Sequence, residues 1–186
     1  MKEGVYGVFK LLNISYKKKM KKIIVIGSPG AGKSIFSKKL KDVTNFPLYH
    51  LDMLYHKADG THISREELEE KLKEIFKQDK WIIDGNYQRT LEMRLKECDT
   101  VFLLDIATED CLQGAKSRVG KKRDDMPWVE EKLDENFKQC ILDFANEKLP
   151  KIYELLEKYK NNLNIVIFKS REEADNYIIN YHVGMN

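Results

Sequence analysis

The chain has 186 residues, 42 % of them hydrophobic and 10 % aromatic, with 33 Lys and Arg against 30 Asp and Glu and a formal net charge of +3. That balance supplies apolar material for one folded domain and excludes an extended, self-repelling coil. No apolar run approaches the roughly 20 residues a bilayer crossing needs, the three cysteines have neither CxxC nor Cys/His spacing for a metal, and a net +3 is no mandate for nucleic acid, which asks for clustered cations.

Residues 1–19 differ from the rest of the chain: a weakly patterned stretch ends in Tyr16-Lys17-Lys18-Lys19. It reads as a disordered extension upstream of the natural start or as a flexible basic arm, and residues 20–186 as one domain. From Lys21 short apolar runs alternate with amphipathic helices, the pattern of βαβ units around a parallel sheet. Strands are expected at Lys22 to Ile26, Phe46 to Leu51, Trp81 to Asp84, Thr100 to Asp105 and Leu163 to Phe168, each short, apolar and bounded by polar residues, as strands covered on both faces are.

Between them, Ser64 and Glu67 form a capping box that opens a helix to about Gln78, with Leu68, Leu72, Ile75 and Phe76 on one face. A helix from Thr108 to Val119 comes after the fourth strand. Val129, Leu133, Phe137, Ile141 and Phe144 repeat at helical spacing from Trp128 to Asn146, and Pro150 opens a further helix with Ile152, Leu155, Leu156 and Tyr159 apolar. Ser170 with Glu173 caps a terminal helix that buries Ala174, Ile178 and Tyr181. Trp81 and Trp128 read as packing residues, and His50, His56, His62 and His182 have no ligand spacing to one another. Cys98, Cys111 and Cys140 read as reduced thiols of a cytoplasmic protein.

The sharpest local signal lies directly after the first strand. Gly27-Ser28-Pro29-Gly30-Ala31-Gly32-Lys33-Ser34 satisfies GxxxxGK[ST] at every specified position, and Ile35 continues into a helix. Successive backbone N–H groups must converge on a polyanion, so Gly30 and Gly32 supply unusual dihedrals and keep side chains out of the way. The helix N-terminus adds unpaired N–H groups and a positive dipole end. In this motif Lys33 reaches the β- and γ-phosphates and Ser34 ligates Mg²⁺. The third strand ends in a carboxylate, Asp84, beside the P-loop strand, where such proteins hold Mg²⁺. Asp105, closing the fourth strand, is the rival and reads more simply as a turn or capping residue.

Leu51-Asp52-Met53-Leu54-Tyr55, Trp81 through Thr90 with its Ile-Ile-Asp-Gly-Asn-Tyr core, and Cys98-Asp99-Thr100-Val101-Phe102-Leu103-Leu104-Asp105 carry a resemblance. The chain resembles the adenylate-kinase-like P-loop kinases, and within them the DNA topology modulation (FlaR-like) family, over roughly residues 22 to 181. The resemblance implies a three-layer α/β/α fold with a five-stranded parallel sheet in the order 2-3-1-4-5, an acceptor-binding insert over about 52–79 and a short lid over about 116–128. It implies that Asp84 holds Mg²⁺ through water and that Arg89 grips an acceptor phosphate. The arginine those kinases carry after the Asp-Met-Leu element is replaced here by Tyr55, His56 and Lys57. Asp52 is then free to accept hydrogen bonds from acceptor hydroxyls, as in kinases of small hydroxylated metabolites.

Lys116, Arg118, Lys121, Lys122 and Arg123 crowd one segment, and a cluster so placed closes over a triphosphate. Arg118 and Arg123 are the expected transition-state groups, because guanidinium engages phosphate through two hydrogen bonds. The expectation is an ATP- and Mg²⁺-dependent kinase, monomeric or dimeric, with a nucleoside monophosphate preferred as acceptor over a hydroxylated metabolite. The alternatives are a nucleotide-dependent DNA-binding regulator, supported only by the basic clusters, and an ATPase without acceptor.

Overall fold

The computed structural model describes residues 20–183; the expected extension over 1–19 lies outside them. Five parallel strands, β1 (Lys22–Gly27), β2 (Leu48–His50), β3 (Trp81–Asp84), β4 (Thr100–Leu104) and β5 (Asn164–Phe168), form one sheet in the order β2-β3-β1-β4-β5. The three central strands are almost wholly buried, which is why their sequences run apolar without alternation.

Period-two geometry sorts those residues into two layers. Ile23, Val25, Ile82, Phe102 and Leu104 face a core that Phe36 and Leu40 of α1 (Lys33–Thr44), Cys111 and Ala115 of α5 (Thr108–Lys116), and Tyr177 and Ile178 of α8 (Arg171–Val183) complete. Ile24, Ile26, Ile83, Val101 and Leu103 face the other layer. It is closed by Leu68 and Leu72 of α3 (Arg65–Phe76), Leu91 and Leu95 of α4 (Gln88–Glu97), and Ile152 and Leu156 of α7 (Leu149–Tyr159). The capping box at Ser64 is formed in both directions, Glu67 N–H donating to Ser64 Oγ at 3.1 Å and Ser64 N–H to Glu67 Oε2 at 2.8 Å.

The helix expected to reach Val119 ends at Lys116, and two further boundaries depart more from expectation. The second strand is short: Pro47 has no N–H for the ladder, although its carbonyl accepts from Ile82 N–H at 2.8 Å, and Leu51 already opens the one-turn helix α2 (Leu51–Tyr55). The helix expected from Trp128 begins only at α6 (Glu135–Asp143), where Asp134 accepts from Phe137 N–H at 3.2 Å and caps it. Residues 128–134 instead form a loop along a cleft, and a π-helical turn over Phe144–Lys148 joins α6 to α7 while keeping Phe144 buried.

Candidate active site

Strand register brings the chemistry to one rim of the sheet. Asp84 at the end of β3 lies beside Val25 of β1 and His50 of β2, while the loop after β1 turns back over the same edge. The crevice outside the carboxyl ends of β1 and β3 is where open α/β sheets bind ligands.

The loop from Gly27 to Ser34 is held from behind. Gly30 has φ +79°, and a Cβ there would stand 2.0 Å from the Cys111 carbonyl oxygen on α5. From α5, a Cβ on Gly114 would stand 2.2 Å from the Gly30 carbonyl oxygen, so loop and helix meet backbone to backbone. Arg171 fastens the junction, its Nη2 donating to Gly30 O at 3.0 Å and to Asp110 O at 2.7 Å. The first-turn N–H groups of Lys33, Ser34 and Ile35 have no intrahelical acceptor; the Ile35 side chain itself is exposed and away from the cleft. Gly30→Ala should therefore destabilise the fold by about 2–3 kcal/mol from left-handed strain and overpacking, read as a lowered thermal midpoint.

Lys33 donates to the Ser28 carbonyl at 2.9 Å and is half-buried at the cleft floor, and desolvation lowers its ammonium pKa against the raising effect of Asp84 and Asp52. Asp84 is 4 % exposed. His50 Nδ1 stands 2.9 Å from Asp84 Oδ2, and since a carboxylate only accepts, the imidazole keeps its proton on Nδ1. Asp84 Oδ1 is buried with no hydrogen-bond partner, an orphaned acceptor that suits a cation or its bound water. Burial pushes the Asp125 carboxyl up, but the neighbouring Ser34 hydroxyl and Arg123 bring it below the ordinary carboxylate value. These hard oxygens fit Mg²⁺, which keeps several waters and takes few protein ligands. No cluster of three or more His, Cys, Asp or Glu side chains suited to a metal occurs among the described residues.

The turn after Asp84 is braced by residues to which the sequence reading assigned no role, although Asn86 and Tyr87 belong to the Ile-Ile-Asp-Gly-Asn-Tyr element. Asn86 bridges to the P-loop, accepting from Gly27 N–H at 3.0 Å and donating its amide to the Gly27 carbonyl. Tyr87 comes next with φ +21°, rare for a non-glycine residue. Beneath it Arg94, with no exposed surface, donates to the carbonyls of Gly85, Asn86 and Tyr87 at 2.8, 2.6 and 3.2 Å.

A cleft of about 600 Å³ runs from this rim under residues 115–137 and is lined by Lys33, Ser34, His50, Asp52, Asp84 and Tyr87 below, and by Arg118, Arg123 and Trp128 above. Asp52 Oδ1 accepts from the Tyr87 hydroxyl at 3.0 Å; burial raises its carboxyl pKa, with Lys33 and that hydrogen bond opposing. Both arginines of the basic segment reach the cleft, each held by acids. Arg118 Nε lies 3.2 Å from Glu130, and Arg123 contacts Asp125 and Glu130, each at 2.9 Å. Burial of Arg118, with Arg123 close by, lowers its pKa.

Arg89 and the rival carboxylate Asp105 lie elsewhere. Arg89 is half-exposed on the first turn of α4, 3.9 Å from Glu66 and 3.7 Å from Glu69 on α3, and does not line the cleft. Asp105 accepts from the Tyr153 hydroxyl at 2.6 Å and from Lys169, so it ties β4 to α7 and the end of β5. Trp128, expected in a packed core, lines the cleft and stands edge-on to His56 with ring centroids 5.1 Å apart.

No protein-family model matches the chain. It is 29 % identical to an adenylate kinase isoenzyme 6 homolog of Plasmodium falciparum, over 81 % of this chain and 95 % of the relative. It is 30 % identical to the adenylate kinases of Thermotoga petrophila and Thermotoga maritima over 45 % of this chain, a match that spans 38 % of those enzymes. Among solved structures it is similar to the shikimate kinase of Acinetobacter baumannii in complex with shikimate (TM-score 0.54, 16 % identity, 86 % of this chain and 92 % of that one). It is also similar to the shikimate kinase of Bacteroides thetaiotaomicron (TM-score 0.54, 16 % identity, 90 % and 99 %). With its strand order and its glycine-lysine-serine loop after β1, the chain has the P-loop α/β fold that adenylate and shikimate kinases share.

Proposed function

We propose that the protein is a Mg²⁺-dependent phosphotransferase that moves the γ-phosphoryl group of ATP to a hydroxyl or phosphate oxygen of a small acceptor. The observation that carries this reading is the meeting of Lys33, Asp84 and Asp52, drawn from three separate segments, on the floor of one cleft whose roof holds Arg118 and Arg123. The loop amides and Lys33 hold the triphosphate, and Ser34 and Asp84 hold the cation. Mg²⁺ bound there offsets charge on the β- and γ-phosphate oxygens. Asp52 orients the attacking oxygen, and the lid guanidiniums offset charge on the phosphoryl group in transit, so positioning and electrostatics do the catalysis.

The similarity to adenylate and shikimate kinases supports ATP as donor, and three free thiols suit a reducing, ATP-bearing cytoplasm. Both arginines of the basic segment are turned into the cleft against Glu130 and Asp125, which favours a lid over a DNA-binding face.

Calorimetry of the protein with Mg²⁺ and a non-hydrolysable ATP analogue should show saturable heat; none at all from folded material refutes the proposal. Asp52 gives a pH dependence. Its carboxylate must be ionised to take the acceptor proton, and burial lifts its pKa. The turnover rate should therefore rise with pH through a midpoint above the ordinary carboxylate value of about 4. Asp52→Asn should lower kcat on the order of 10²-fold and remove that limb, with nucleotide binding unchanged.

A further inference from the structure

Resting on the phosphotransfer reading, the geometry points to an acceptor without phosphate: a hydroxylated small molecule, uncharged or cationic, whose reacting hydroxyl sits against Asp52. This replaces the nucleoside monophosphate that the sequence led us to prefer.

A phosphomonoester dianion calls for guanidinium forks, and every arginine near the acceptor end is committed. Arg89 is turned outward to Glu66 and Glu69. Arg94 is spent on three backbone carbonyls beneath the turn. Arg118 and Arg123 belong to the lid and carry Glu130 and Asp125 as counter-ions. Of the two lysines along the cleft, Lys33 serves the donor, and Lys132 stands between Glu131 and Leu133, two residues from Asp134.

What occupies the acceptor end is a carboxylate in an aromatic frame. Tyr87 donates to Asp52 Oδ1, and Tyr55 stands edge-on to Tyr87 with centroids 5.3 Å apart. The His56–Trp128 contact joins the segment after α2 to the lid across the mouth. Asp52 Oδ2 accepts no hydrogen bond among the described residues. Six carboxylates line the cleft against four Lys and Arg side chains, so the bound triphosphate already deepens a negative balance. A second phosphate beside Asp52 meets repulsion with no fork to offset it, whereas a hydroxyl donates to that carboxylate and a flat or cationic body lies against the rings. In the transfer, the acceptor oxygen bonds to the γ-phosphorus and its proton passes to Asp52. The bond to the β,γ-bridging oxygen breaks, and ADP leaves with that electron pair.

The test is ADP release from Mg²⁺ and ATP by the full chain, against matched pairs: nucleosides and their 5′-monophosphates, polyols and amino-alcohols and their phosphate esters. At least one phosphate-free compound should accelerate release tenfold or more over the solvent rate, with no acceleration by its phosphorylated partner. That activity should persist within twofold in Arg89→Ala and be lost in Asp52→Asn. Acceleration by a monophosphate that falls tenfold or more in Arg89→Ala overturns the inference. So does a panel in which no phosphate-free compound accelerates release. Calorimetric binding of the ATP analogue separates the two levels: heat with the wrong acceptor class sinks only this inference, and absence of heat sinks the phosphotransfer reading.

Discussion

Lys33→Ala should cut phosphoryl transfer on the order of 10⁴-fold and remove the heat of Mg²⁺–nucleotide binding, with the fold intact. The magnitude comes from the role: in a water-poor cleft a fixed cation on the β- and γ-phosphates acts at low effective dielectric, where lost charge stabilisation is multiplied. The intact fold comes from the small part Lys33 plays in stability. Its ammonium is held on the cleft floor at a desolvation cost, with a single hydrogen bond to its own loop at Ser28 and more distant help from Asp84 and Asp52. Truncation removes that cost along with the bond, so the thermal midpoint should stay put or rise. A variant that unfolds, or one that still binds nucleotide normally, would contradict the assignment. Circular dichroism melts and calorimetry on the same preparation decide it.

The contrast with Gly30→Ala shows how the loop divides its labour. Lys33 serves a ligand and costs stability, whereas Gly30 serves the packing of loop on α5 and tolerates no Cβ. Both residues belong to one short motif, which is why that motif was legible in the sequence. Its dihedral and charge requirements are local and leave few residue choices. The sheet was legible for a related reason, since strands buried on both faces leave apolar runs that cannot be mistaken for amphipathic helices.

What the sequence hid depends on long-range placement. Trp128 through Leu133 continue the apolar period of α6, yet Asp134 caps the helix and diverts that stretch to the cleft, because the cap outweighs a pattern that serves lid and core equally well. Arg89 lies where the resemblance expects a phosphate grip, but the acids of α3 draw it outward, and the pairing of α3 with α4 cannot be read from either helix alone. His50 acquires meaning only through the β2–β3 register that sets it beside Asp84. Arg94 did leave a trace: it occupies the apolar stripe Leu91, Arg94, Leu95, Cys98, where a charged residue has to be explained.

That trace leads to the largest stability effect expected of any single substitution. Arg94→Met should destabilise the protein by about 3–5 kcal/mol, since it leaves the Gly85 and Asn86 carbonyls without their guanidinium donor and takes one of several donors from the Tyr87 carbonyl. For a domain of this size that lowers the thermal midpoint by about 10 °C. Burial brings the Arg94 guanidinium down to about 10, so it stays protonated at neutral pH, and the carbonyls of Gly85, Asn86 and Tyr87 rather than a paired carboxylate solvate it. The same bonds hold Tyr87 at its unusual φ, and through Tyr87 and Asn86 they set the positions of Asp52's partner and of the Gly27 tie. Activity should accordingly fall further than stability alone explains. At a temperature where Arg94→Met remains fully folded, kcat should be at least 10²-fold down from misplacement of the turn. Arg94→Lys, which restores the charge without the planar fork, should recover part of the stability and little of the rate. Equal recovery of both would mean that Arg94 only fills space and balances charge, and does not place the catalytic turn.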